Sequence, residues 1–444
     1  MTTQTELKRQ IGIRTATALV VGEVIAVGIF LTPAGMAKSL GSPLWVLIVW
    51  LVMGGMAICG ALCFGELAAR YPQAGGSYVY LREAFGRPLA FLYGWMALLV
   101  MDPGLTAALA VGLAGYVGYI ANLSPGATKA VAIAAIVSVA VINIRGVRLG
   151  AWLMRWLTGL KLGLLFFLLL WGFGFQLGNW SNFTPFMAQR PQSAPLLPAL
   201  AGGLVAAFFS FGGWWDVTKV AGEIREPART LPRALLYGVL IVTLVYILTS
   251  AVFFYLVPLE SVTSGETFAA QAGEVLFGRQ GAQVFSGIVI ITVAASLAAL
   301  IMAAPRVYFA MARDGLFIPS VASLHPRFGT PARAIALHAL LASLLVALGS
   351  FNDIISYFIF VVVIFVALSV AALFVLRSRQ LQRPVYQTPG YPVTPIVFLL
   401  LVGVLLFLLG SNSPKESLLG VGVVALGVPV YYLLFAPKVI EPKS

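Results

Sequence analysis

Four charged side chains sit in stretches that are otherwise almost wholly apolar. Glu23 lies within Val21-Gly22-Glu23-Val24-Ile25-Ala26-Val27-Gly28-Ile29-Phe30, and Lys161 within Thr158-Gly159-Leu160-Lys161-Leu162-Gly163. Asp102 precedes Pro103-Gly104, and Asp216 follows Trp214-Trp215. Ionisable groups in hydrocarbon are costly and persist where they bind, relay or pair. Burial disfavours the charged form of an acid or an amine, so Glu23 and Lys161 are candidates for coupling, with a proton as the simplest cargo of Glu23. The competing readings are structural. Glu23 fits a satisfied internal acid paired with Lys161, and Lys161 fits a snorkelling side chain about three turns from Gly150. Asp216, three residues before Lys219, fits a pair on one helix.

The glycines beside these charges also carry information. Gly28, followed by Thr32-Pro33, weakens the middle of one apolar stretch, and the pair Gly212-Gly213 weakens another. Each Gly costs about 1 kcal/mol relative to Ala in a helix, and unwound backbone is tolerated in a bilayer only where protein buries it or it lines a cavity. Interruptions at matching positions of two halves point to an inverted repeat with a midplane site. Close packing through small residues is the alternative in a chain with 45 glycines. Freed amides at the positive ends of half-helices suit a carboxylate, and freed carbonyls suit an ammonium group. An α-amino acid carries both, as do other zwitterions. Ser210 and Ser296 offer hydroxyls, although back-bonding within a helix is their commoner fate. Phe209 and Phe211 either gate the site or fill the core.

The elements that position these groups are transmembrane helices. Hydrophobic residues make up 60% of the 444 and charged residues 10%, against roughly half and a quarter in soluble domains. Continuous apolar runs of about 20 residues, rather than alternation, indicate helices long enough for ~30 Å of hydrocarbon. Twelve spans are expected, near 13–38, 43–69, 87–120, 128–144, 150–176, 196–224, 231–257, 281–312, 332–349, 353–376, 393–411 and 418–436. With the N-terminus in the cytoplasm, 22 of the 28 basic residues fall on inner loops and flanks and five outside, with Lys161 inside a span. That asymmetry obeys the positive-inside rule and places both termini in the cytoplasm. The net charge of +13 therefore reflects topology rather than nucleic-acid binding. No long hydrophilic stretch exists for a soluble domain, so residues 1–444 form one membrane domain.

Other classes lose ground on specific residues. None of the lysines follows a glycine, so a Walker A Gly-Lys pair is missing. His325 and His338 lack metal-site spacing, no stretch resembles a K⁺ selectivity filter, and neither metal nor cofactor is expected. Cys59 and Cys63, one turn apart in a span, fit small buried residues rather than a disulfide scaffold. A secondary carrier is the remaining class.

Several segments resemble the amino acid–polyamine–organocation superfamily, most closely its L-type amino acid transporter branch and bacterial homologues. Gly22 through Phe30 is similar to that family's first-helix motif. Gly60 through Leu67 with Gly75-Gly76-Ser77-Tyr78-Val79-Tyr80 resembles its loop after the second span, and Ile142 through Val147 the end of the fourth. The most specific stretch is Phe209 to Trp214 with Glu223-Ile224-Arg225-Glu226-Pro227-Ala228-Arg229-Thr230-Leu231-Pro232, and Arg306, Asp314-Gly315 and His325-Pro326 extend it. The resemblance implies the leucine-transporter (LeuT) fold: an all-α membrane protein with inverted five-helix repeats at 13–176 and 196–376 and two added helices at 393–436. It implies alternating-access transport of amino acids by exchange or proton-linked uptake. It also places the substrate carboxylate at Ala26, Val27 and Gly28, and its amino group and gate at Phe209, Ser210, Phe211, Gly212 and Gly213. Lys161 stands, by the same resemblance, near where sodium-coupled relatives hold a sodium ion. Ala26-Val27 replaces the family's Gly-Ser, and Glu23 replaces a neutral residue, which suits a cationic ligand or proton coupling. A polyamine or organic-cation antiporter and a non-transporting amino acid sensor are the alternatives. No cysteine lies near Asn122–Gly126 to link a heavy chain, so a stand-alone carrier of a prokaryotic inner membrane is implied.

Overall fold

The computed structural model describes residues 7–26, 28–191, 193–259, 272–348, 351–379, 384–412 and 414–435. Val27 lies outside them, as do Arg383, Lys438 and Lys443 among the basic residues used for orientation. The described residues form helices and connections, with one isolated parallel bridge between Ile11 and Ile224. Ten helical stretches are long and apolar enough to cross a membrane, or eleven if one bent pair is a single span. That pair is α1 (Ile13–Val24) and α2 (Gly28–Leu40), which meet at 50°. The expected span at 332–349 is a helix of 17 residues, Ala332–Leu348, at the short end of what covers ~30 Å of hydrocarbon.

In chain order, α3 (Pro43–Arg70) precedes a short α4 (Ser77–Phe85). α5 (Arg87–Met96) runs through a five-residue π-helical stretch, Ala97–Met101, into α6 (Asp102–Ala121). Such π stretches are rare and recur at functional sites, because the extra residue turns the following side chains; here the first of these is Asp102. α7 (Pro125–Ile144) and α8 (Val147–Gly174) follow. α9 (Leu196–Phe211) then breaks into a 3-10 helix, Trp214–Glu223. α10 (Pro227–Leu256), α11 (Gly281–Ala303), α12 (Pro305–Arg313) and α13 (Ala332–Leu348) lead to α14 (Phe351–Arg379). α15 (Val393–Asn412), α16 (Pro414–Ala425) and α17 (Gly427–Leu434) complete the chain.

The two broken spans occupy the middle of the bundle. α1 packs on the 3-10 helix and α2 on α9, so the early half of each broken span lies beside the late half of the other and the two run antiparallel. α8, α10 and α11 enclose α1, and α3 packs along α10. The outer surface is apolar, with Trp156, Phe166, Leu344, Leu400 and Phe407 exposed, as expected where lipid rather than water is the solvent. Cys59 and Cys63 are both free thiols on α3.

One end of the bundle is closed by charge. Arg306 grips Glu223 with two hydrogen bonds, of 2.8 and 3.2 Å, and both side chains are fully buried. The amides of Gln10 and Ile11 donate to the Glu223 carbonyl at 2.7 and 2.9 Å, and Arg225 N–H returns a bond to the Ile11 carbonyl. Nearby, Asp314 takes Arg82 and the Tyr78 hydroxyl, and burial with that carboxylate raises the Tyr78 phenol above its ordinary value. Glu66 receives Arg70, Arg377 and the Thr388 amide. Removing one member of a buried ion pair strands the other at a cost of about 3–5 kcal/mol. Arg306→Ala therefore lowers the thermal unfolding midpoint of the detergent-purified protein well below that of an exposed control such as Arg229→Ala. Equal midpoints would mean that the Glu223–Arg306 pair does not hold this end together.

Candidate functional site

The first break is held open by one lysine. α1 stops at Val24, leaving carbonyls without helical amides, and Pro33 inside α2 removes a further N–H donor. Lys161 on α8 is fully buried and turns its ammonium into this gap, donating to the carbonyls of Gly22, at 2.9 Å, and Ile25 and to Ser296 Oγ at 3.1 Å. The Ser296 hydroxyl in turn lies 2.7 Å from the Gly22 carbonyl. An ammonium has three donors, and all three are used. Gly22 makes the approach of α8 feasible, because a Cβ there would lie 2.5 Å from Thr158 Oγ1. The Tyr246 hydroxyl, from α10, lies 2.9 Å from the Val24 carbonyl and 2.6 Å from that of Ser210, and so bridges the two breaks. Lys161 neither snorkels nor reaches Glu23.

The second break follows from its glycines. Gly213 has φ +100°, a left-handed conformation that disfavours any side chain, and the chain re-enters as a 3-10 helix at Trp214. Ser210 Oγ bonds back to the Ala206 carbonyl at 3.1 Å and meets Thr32 Oγ1 at 3.0 Å. Phe211 is buried against Trp50 and Tyr246, with ring centroids 6.0 and 5.1 Å away. Phe209 instead keeps 39% of its surface exposed and lines a cavity. The breaks touch at two points: a Cβ on Gly28 would lie 2.8 Å from Ser210 Oγ, and one on Gly213 3.0 Å from Glu23 Cγ.

Between them lies a cavity of about 140 Å³, bordered by Glu23, Ala26, Gly28, Phe209, Ser210, Gly212, Gly213 and Asp216. Of the residues expected at a ligand site, Val27 falls outside the described residues, Phe211 lies in the core behind the wall, and Lys161 stands behind the first break. The Gly22, Val24, Ile25 and Ser210 carbonyls are already engaged by Lys161, Ser296 and Tyr246. At the second break the Phe208 and Phe209 carbonyls flank Gly212, and the Phe209 carbonyl accepts the Gly212 amide at 3.3 Å.

A second polar group adjoins the same cavity. Lys219 Nζ lies 2.7 Å from Asp216 Oδ2 and 3.1 Å from Asp102 Oδ1, all three side chains being buried. The Tyr308 hydroxyl donates to Asp102 Oδ2 at 3.1 Å, and His338 stands between Tyr308 and Thr106, its Nε2 2.8 Å from Thr106 Oγ1. Glu23 faces this group across the cavity wall, under the influence of Asp216, Lys219 and Asp102. The Asp216–Lys219 pair is legible from its spacing. The sequence shows Asp102 as a charge in an apolar stretch without indicating a partner and does not single out Tyr308, and His338, which lacks metal-site spacing, meets partners from α6 and α12.

Residues 11–432 match the sequence model of one family, amino acid permease. The chain belongs to that family. Among its relatives, the serine/threonine exchanger SteT of Bacillus subtilis is 30% identical over 433 residues, covering 96% of this chain and 97% of that one. The Asc-type amino acid transporter 1 of Mus musculus is 29% identical and covers 96% of this chain and 81% of its own length. The human b(0,+)-type amino acid transporter 1 is likewise 29% identical, over 99% and 91%. These relatives are named as transporters and exchangers, and the permease is not an enzyme.

Contact between Gly28 and Ser210 gives a test of the site. In Gly28→Ala the added methyl collides with Ser210, separates the two breaks and lowers amino acid binding by at least ~10-fold, within the 1–3 kcal/mol that overpacking costs. Adding Ser210→Gly removes the nearest atoms and restores part of that loss. An unaltered binding isotherm for Gly28→Ala would show that ligand does not require this contact.

Proposed function

We propose that this permease moves amino acids across the cell membrane by alternating access, in exchange mode. Twelve crossings are inferred, with both termini cytoplasmic, inverted repeats at 13–176 and 196–376, and two further helices at 393–436. The observation that carries the reading is the pair of antiparallel broken spans sharing one cavity. The substrate carboxylate is received at the amide end of α2, by Gly28 and the preceding Ala26. The end of α9, from Phe209 to Gly213, receives the amino group, and Phe209, a half-exposed aromatic side chain lining the cavity beside Phe208 and Trp215, serves as the gate. Lys161 supplies a tethered cation to the carbonyls of the first break, so transport proceeds without sodium. Glu23 acts at the site rather than as a partner of Lys161.

The exchange mode is favoured by the name of the serine/threonine exchanger that this chain resembles along its length. No cysteine other than Cys59 and Cys63 exists in the sequence, and neither lies between α6 and α7, which supports a carrier without a disulfide-linked heavy chain. A bacterial-type inner membrane is the inferred location.

Counterflow in proteoliposomes tests this reading. Labelled amino acids from a panel enter vesicles preloaded with unlabelled amino acid several-fold faster than empty ones, with or without sodium. Uptake into empty vesicles driven by a pH gradient alone would replace exchange with proton symport. Binding in detergent without any counterflow would make the chain a sensor.

A further inference from the structure

Three carboxylates and one ammonium meet at the wall of the cavity, which leaves positive charge in deficit. Lys219 is shared between Asp102 and Asp216, and Lys161 is committed to the first break. Glu23 is left over. It is 7% exposed and lines the cavity, and its carboxyl oxygens receive no N–H donor from the protein, the Asp216 carboxyl being their polar neighbour. Asp216, 3% exposed and on the same wall, has Oδ1 in the same condition. Buried polar atoms are satisfied in the great majority of cases, so these oxygens call for donors from the cavity.

A proton shared between Glu23 and Asp216 supplies one O–H donor and leaves one of the three oxygens unmet, whereas an ammonium supplies three donors and a guanidinium five. Among the described residues no cluster of His, Cys, Asp and Glu is arranged to hold a metal ion, which favours an organic cation. The remaining wall includes Leu105, Leu109, Val293, Leu300 and Ile359, a surface suited to methylene groups. The same cavity reaches Ala26 and Gly28, where an amide end takes a carboxylate.

We propose that Glu23 and Asp216 form a cation subsite for the side-chain terminus of a basic amino acid, so that this permease selects substrates ending in ammonium or guanidinium. The proposal rests on the amino acid reading above and specifies its substrate class. The carboxylate sits at Gly28, the aliphatic stem lies along the apolar wall, and the terminal cation makes charge-assisted bonds to Glu23 and Asp216. A polyamine would fill the acidic end and leave the amide end of α2 without its anion.

Three probes separate the parts: L-arginine, L-citrulline, which is arginine with a neutral terminus, and agmatine, which lacks the carboxylate. With the full-length protein, arginine competes in binding and counterflow at concentrations at least ~10-fold below those of citrulline or agmatine. In Glu23→Gln the arginine-to-citrulline ratio falls to about twofold or less. Because the ratio is first read on the wild-type protein, a variant that fails to fold does not decide the matter. Neutral amino acids exchanging while arginine shows no advantage over citrulline would overturn the cation subsite and leave the transport reading intact. Agmatine moving while no amino acid does would uphold the subsite and overturn the amino acid reading.

Discussion

The carbonyls of Gly22 and Ile25 are the constraint from which the rest of the site follows. At membrane depth no water can take over from the amides that α1 lacks, and each unsatisfied group would cost several kcal/mol. The chain answers with an ammonium carried on another helix, fully buried and with every donor used. The break can then persist as a built feature instead of relaxing into continuous helix. Gly22 exists in this arrangement because α8 must come close enough to deliver Lys161.

Satisfying one break draws in the other. Tyr246 touches carbonyls of both, and Thr32 meets Ser210 across the gap. What these bonds leave over is a short stretch of backbone at each break and the cavity between them. Ala26 and Gly28 of the first break and Phe209 to Gly213 of the second, Phe211 excepted, thus border the same space. The proposed site for a substrate backbone is thus what the scaffold does not use for itself.

Much of this was legible in the residues. Apolar runs bounded the spans within a few positions, as at 43–69 against Pro43–Arg70, because a bilayer imposes length as well as polarity. Gly28 and Gly212-Gly213 marked the breaks because nothing else weakens a helix so cheaply. Lys161 stood out as a charge inside an apolar run, where snorkelling to the interface was the competing reading. The cluster around Asp102 was hidden for a different reason: its members come from α6, the 3-10 helix, α12 and α13, and the relevant separations of 117 and 206 residues leave no periodic trace. Phe209 and Phe211, two residues apart, looked alike in sequence. Only the orientation of α9 decides that one faces the cavity and the other Trp50.

The 3-10 helix Trp214–Glu223 links the cavity to the closed end of the bundle. At about 2.0 Å per residue, its ten residues form a strut of roughly 20 Å with Asp216 at the cavity, Lys219 paired behind it and Glu223 at the closed end. Its far end is bonded to Gln10, Ile11 and Arg306, and Gly75 donates to the Lys219 carbonyl midway. Were occupancy of the cavity to tilt the strut, the clasp on the N-terminal segment would be strained with it. By reciprocity of linked equilibria, loosening that segment would then shift ligand affinity by the same factor, and residues 10–11 would act as a remote handle on a site they never touch.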